Sequence, residues 1–100
     1  GKKGGMPMEK QKTVVHVAGR DYTLASSDPT EHVRRVGVYV DRKIQEIEAA
    51  SHLPSHMVAV LAALNIGDEL LKAHDENTRL RRELMLLRQE LREKHKREEE

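Results

Sequence analysis

Residues 70–97 read LLKAHDENTRLRRELMLLRQELREKHKR. With Leu70 at heptad position a, that position recurs at Asn77, Leu84 and Leu91, and position d falls on Ala73, Leu80, Leu87 and Lys94. The seam extends backwards to Ala63 at a and Ile66 at d. Apolar a and d positions sustained over three or more heptads predict a coiled coil, because this repeat keeps one stripe against a partner helix. The flanks agree. The g positions Glu76, Glu83 and Glu90 are acidic, and the e positions His74, Arg81, Arg88 and His95 are basic or histidine. In a parallel pair, g of one helix faces the next e of the other, so Glu76 meets Arg81 and Glu83 meets Arg88 across the seam. In an antiparallel pair like charges meet. Each exposed ion pair is worth only about 0.2–1 kcal/mol, so the pattern selects orientation more than it stabilises. Asn77 at an a position points the same way, since a buried Asn is best satisfied by its own copy in a parallel, in-register dimer.

Leu71 and Met85 at b and Leu86 at c lie outside a two-stranded seam. They widen the apolar stripe, which fits two dimers packed into a four-helix bundle. Isolated exposed Leu and Met are also common, so dimer and dimer of dimers both stay open.

Upstream of the heptads, Ser55 can cap the same helix, which then has one internal Gly (Gly67) and no Pro to the end of the chain. Helical through Arg97, it spans roughly 60 Å, longer than a chain of this size is wide as a globule, so its C-terminal half must leave the globular part. Further upstream, Asp28-Pro29-Thr30-Glu31 is a helix start: Asp28 caps, Pro29 takes the first helical position and Glu31 reaches back to the cap. Val33, Val36, Val40, Ile44 and Ile47 then recur at spacings of three and four, forming one apolar face. Arg34, Arg35, Arg42 and Lys43 lie on the opposite, exposed face. Pro54 ends this helix region, because the residue before a proline is pushed out of the helical range.

Thr13 to Leu24 reads as a β-hairpin. Thr13-Val14-Val15-His16-Val17 is rich in β-branched residues, and Gly19-Arg20 supplies a two-residue turn before Asp21-Tyr22-Thr23-Leu24. That assignment puts Arg20 at the tip, solvated and presented outward. A lone hairpin is marginal, so a helix or a partner strand must cover it. Gly1 to Lys12 shows no periodicity and reads as disordered, with Gly1–Gly5 resembling a remnant of an expression tag. The division expected is therefore a disordered stretch over 1–12, a globular head over 13–70 and a coiled coil over 71–100. The fold class is α+β: a small hairpin plus helix head, then a long coiled-coil helix, in an obligate oligomer.

Composition supports a shared core. Of 100 residues, 35% are charged and only 2% aromatic, with no Phe, Trp or Cys, so any core is small and aliphatic. Disulfides and Cys-based zinc sites are excluded. The longest apolar run is Met57 to Leu64, too short for a membrane span. No secretory signal is visible, and the default compartment is the cytoplasm. A net charge of +1 provides no general field for nucleic acid or an anionic membrane. The stretch before the zipper, Ala62 to Leu70, is apolar and acidic rather than a basic DNA-reading helix. There is no phosphate loop and no His-Glu-x-x-His helix, and Pro54 spoils the face that His52 and His56 would share. No nucleophile sits beside a base and an orienting acid. Neither catalysis nor a cofactor nor a metal is expected.

The order of a strand, Gly19-Arg20, Tyr22-x-Leu24, a capped helix, and then Ala62-Ala63-Leu64-Asn65-Ile66-Gly67-Asp68-Glu69-Leu70 running into a coiled coil resembles the ZapA family of bacterial cell-division proteins. The Ala-Ala-Leu-Asn-Ile-x-Asp-Glu-Leu run is its most specific part. The resemblance implies a dimerising head, a coiled coil that can join dimers into tetramers, recruitment to the mid-cell division site, and bundling of FtsZ protofilaments without catalysis. It also implies that Arg20, at the family's turn-arginine position, contacts FtsZ. Arg34, Arg35, Arg42 and Lys43 are secondary candidates for that contact. For self-association the candidates are Leu61, Leu64, Ile66, Leu70, Asn77, Leu80, Leu84, Leu87 and Leu91. The alternative reading is a generic cytoplasmic coiled-coil adaptor with another protein partner.

Overall fold

The computed structural model describes residues 9–99. Its elements are β1 (Gln11–Val17), β2 (Arg20–Ser26), α1 (Thr30–Ala50) and α2 (Ser55–Glu99), which is the α+β order expected. Of the stretch read as disordered, residues 1–8 lie outside the described part. Gln11 and Lys12 are already in β1, because the ladder carries on to Gln11↔Ser26.

The hairpin register moves the turn one residue earlier than expected. Val17 pairs with Arg20, so Ala18 and Gly19 form the two-residue turn and Arg20 opens β2. Both turn residues have positive φ, 54° at Ala18 and 78° at Gly19. That combination is a type I′ turn, whose twist matches the flanking strands, in place of the type II′ turn that Gly19-Arg20 suggested. A non-glycine residue in the left-handed region costs roughly 1–2 kcal/mol. Here a long-range contact offsets it: the Ala18 N–H donates to Asp41 Oδ1 of α1 at 2.9 Å.

The helix starts also differ in detail. Pro29 itself is the N-cap of α1, with no side-chain cap, and the Val33 N–H donates to its carbonyl at 3.2 Å. Asp28 does not cap; its N–H donates to Ser26 Oγ at 3.0 Å, continuing the bend out of β2. Ser55 is the first residue of α2 rather than its cap, and the Pro54 carbonyl accepts from Met57 and Val58. The Ser51 hydroxyl donates to the Ile47 carbonyl at 2.8 Å, where α1 ends.

The chain divides into two compact units, one ending at Asn65 and the other beginning at Ile66. In the first unit the core is small: Val15, Val33, Ile44, Val58 and Ala62 are buried, with Val17, Val40 and Ile47 packed beside the cluster. The buried stripe of α1 passes through Gly37 rather than Val36, which is 44% exposed. Gly37 lies against Val15 of β1 so closely that no side chain fits between them. α1 therefore covers β1 but not β2. Tyr22 and Leu24 pair with Val15 and Thr13, so they share the inner face, yet they stay 47% and 42% exposed. The second unit, 66–99, is helix alone and has no buried residue.

Candidate functional site

Arg20 is the residue that both the turn and the resemblance single out. It sits not at the apex but one position after it, at the first rung of β2. Its backbone is held twice, by pairing with Val17 and by the neighbouring Ala18–Asp41 hydrogen bond. Asp41 is itself oriented by Gln45, whose Nε2 donates to Oδ2 at 2.7 Å. The Arg20 side chain is exposed and makes no ion pair or hydrogen bond among the described residues. A guanidinium that is free on a fixed backbone has lost little entropy to its own fold and keeps its full donor set for a carboxylate.

Arg20 lines an open cleft of about 390 Å³. Tyr22, Ile44 and Ala59 give it apolar surface, and Glu48 and His56 bring polar side chains from the end of α1 and the start of α2. The cleft can accept an apolar side chain while Arg20 pairs with an acid beside it. Sequence patterning did not identify Glu48 or His56, because they come to Arg20 only through the packing of Ile44 with Val58 and Ala62. Asp41 was equally hidden, since nothing local ties it to a turn 23 residues away.

The other basic candidates are placed differently. Arg34 lines a separate groove with Val14, His16 and Val38, and lies 3.9 Å from Glu31. Arg35 is exposed. Arg42 stands over the Tyr39 ring at 5.4 Å, and Lys43 over the same ring at 5.3 Å. Lys43 is half-buried, which corrects its placement on the fully exposed face. None of the four lines the Arg20 cleft.

The self-association candidates other than Ile66 are uncovered within one chain. Leu61 and Leu64 are 38% and 63% exposed, while their neighbours Val58 and Ala62 fill the core at 1% and 2%. So the Ala-Leu-Asn run presents one face inward and leaves another open. In the second unit Leu70, Asn77, Leu80, Leu84, Leu87 and Leu91 are all exposed, and Ile66 is half-buried. A stripe of large apolar side chains on an isolated helix has no hydrophobic stabilisation until another helix covers it.

An intrachain contact crosses the expected charge pattern. Arg79 bridges two g-position acids: Nη2 and Nε contact Glu76 at 2.6 and 3.0 Å, and Nη1 contacts Glu83. The hydrogen bond from Arg79 holds the Glu76 carboxyl below its ordinary value. Elsewhere Lys72 pairs with Asp68 at 2.9 Å, which raises its ammonium above the ordinary range. No group of His, Cys, Asp or Glu among the described residues could hold a metal. No helix among them is long and apolar enough to cross a membrane.

Comparison with known proteins matches residues 13–98 to the family model described as "Cell division protein ZapA". Cell division protein ZapA of Geobacillus kaustophilus is 38% identical over 76 residues, covering 75% of this chain and 84% of that protein. That of Shouchella clausii is 39% identical over 64 residues, covering 63% and 82%. Among solved structures, a ZapA mutant dimer from Geobacillus stearothermophilus superposes with a TM-score of 0.65 at 33% identity, covering 83% of this chain and 98% of that one.

Proposed function

The chain belongs to the ZapA family of cell division proteins, and on that premise we propose that it binds FtsZ and cross-links its protofilaments at the mid-cell division site. The observation that carries this reading is the unpaired Arg20 on a backbone fixed by Asp41, at the rim of a cleft with apolar surface. Arg20 meets a carboxylate on the filament, and the cleft takes an adjoining apolar side chain. Arg34, Arg35 and Arg42 add long-range attraction from α1, which raises the rate of encounter more than the affinity.

The uncovered leucines supply the second half of the mechanism. Two chains pair through the seam of 66–99 in parallel, and through Leu61 and Leu64 in the heads. Two such dimers can then join through Leu71, Met85 and Leu86. One head binds one filament subunit weakly, but heads joined by a stiff helix rebind at high effective concentration. Neighbouring protofilaments are thereby linked with no chemistry performed by the protein. The work is done by binding alone, so no cofactor is involved.

Co-sedimentation with GTP-assembled FtsZ tests this. The wild-type chain pellets with the polymer and thickens its bundles. Arg20→Ala pellets much less, at an unchanged solution mass. Wild type remaining in the supernatant at low salt would overturn the proposal.

A further inference from the structure

The charge ladder of 66–99 has two kinds of rung. The g positions are Glu69, Glu76, Glu83 and Glu90, and the e positions are His74, Arg81, Arg88 and His95. In a parallel pair the two inner rungs join Glu to Arg, and both inner acids are also held by Arg79 of their own helix. The two end rungs join Glu69 to His74 of the partner subunit and Glu90 to His95 of the partner subunit. An Arg rung is charged at any ordinary pH, whereas a His rung attracts only when the imidazole carries a proton.

We propose that a second copy of this chain docks on the e and g flanks of 66–99, and that the two end rungs close on protonation, so that the coiled coil tightens as pH falls from about 8 to about 6. This rests on the parallel self-association proposed above.

The surroundings of each imidazole set its share. On its own helix His74 faces Leu70, Leu71, Asn77 and Thr78, with no carboxylate at helical spacing. In a parallel pair the carboxylate facing it is Glu69 of the partner subunit, a residue that also interacts with Lys72 of its own helix, so proton uptake by His74 is linked to association. His95 already has a carboxylate: its Nε2 lies 3.2 Å from Glu99 Oε2 of its own helix, with Arg92 one turn before and Glu98 one turn after. Glu90 of the partner subunit therefore adds less there, and His74 carries the larger part. The sign follows from linkage. An imidazole that gains a carboxylate on association binds its proton more tightly in the dimer. Its contribution is complete below the ordinary imidazole value of about 6.5, and is lost as pH rises through the value in the dimer. Four such rungs per dimer, each at the weak end for exposed pairs, multiply to about tenfold in the dissociation constant.

The test is sedimentation equilibrium of the full chain at both pH values, with the His74→Gln/His95→Gln variant beside it. Because the chain contains no cysteine, Lys94→Cys at a d position adds an independent reading of orientation, since its copies can form a disulfide only in a parallel, in-register pair. The expected result is about tenfold tighter association of wild type at the lower pH, reduced below about twofold in the double variant. A wild type that does not respond to pH while Lys94→Cys cross-links would overturn the histidine rungs and leave the parallel reading standing. Weaker association on acidification, with no cross-link, would overturn both, because antiparallel helices set protonated e positions against the arginines of the other copy. A double variant that tightens as much as wild type would assign the effect to the other histidines and overturn the proposal.

Discussion

Gly37→Ala tests the closest approach in the head. A Cβ at position 37 would lie 2.8 Å from Val15 Cβ and 2.9 Å from Val15 Cγ1, well inside van der Waals contact. Two effects oppose each other. Alanine in a helix interior is worth about 1 kcal/mol over glycine, whereas forcing a methyl into a packed contact costs about 1–3 kcal/mol. Geometry places this site in the upper half of that range. The nearest atom is the Cβ of Val15, bonded directly to the strand backbone, so no rotamer change relieves the clash. β1 itself must retreat from α1, and Val15 is one of five buried apolar residues among the described residues. The expected net loss is about 1–2 kcal/mol, a fall in Tm of roughly 4–16 °C at fixed protomer concentration. Thermal unfolding followed by far-UV circular dichroism reads it. Gly67, also helical, is the comparator: a Cβ there meets nothing within 4 Å, so Gly67→Ala should raise stability by about 1 kcal/mol of helix propensity, and Tm with it. If Gly37→Ala stabilises as Gly67→Ala does, α1 does not rest on β1 as described. A further check is Val15→Ala in the Gly37→Ala background, which should recover only part of the loss, because the Cβ of residue 15 remains.

Three further outcomes follow from named contacts. Val58→Ala empties the centre of the core, where the side chain is 1% exposed, and should cost about 1–3 kcal/mol in denaturant unfolding. Asp41→Ala removes the acceptor of the Ala18 N–H; it should weaken FtsZ co-sedimentation through a loosened Arg20 backbone, with the solution mass unchanged and a smaller effect than Arg20→Ala. Leu84→Asp places a charge in the seam and should reduce the solution mass by light scattering, while a wild-type mass would show that the heptads are not the association surface.

Much of the architecture was legible because it depends on periodicity. Valines in a β-branched run, a Pro-marked helix start and leucines at heptad spacing each report a local backbone preference. All four elements occur where those signals stand, with ends shifted by a few residues. The face that each helix buries was less legible. Val33, Val36, Val40, Ile44 and Ile47 look equivalent by spacing, yet Val36 is exposed and Gly37 is buried. A stripe of apolar residues is wider than the contact it makes, and the smallest residue fixes where the strand comes nearest. In the Ala-Leu-Asn run Leu61 and Leu64 stay exposed, while the smaller Val58 and Ala62 are the core. The larger side chains stand on the uncovered flank.

The candidate site divides along the same line. Arg20 was legible as a hairpin arginine, and the resemblance gave it a role. Its neighbours were not. Asp41 selects the Ala18-Gly19 turn from a distance of 23 residues, against the local preference of Gly19-Arg20, because one hydrogen bond to an otherwise unpaired N–H offsets the left-handed strain at Ala18. By itself, the sequence determined which segments are helix or strand, where the charges lie and that one apolar seam needs a partner. These follow from periodicity, which acts between near neighbours. Only the tertiary structure decided the turn, the buried faces and the grouping of Tyr22, Ile44, Glu48 and His56 around Arg20. Those depend on contacts between residues far apart in the chain, and no local propensity encodes them.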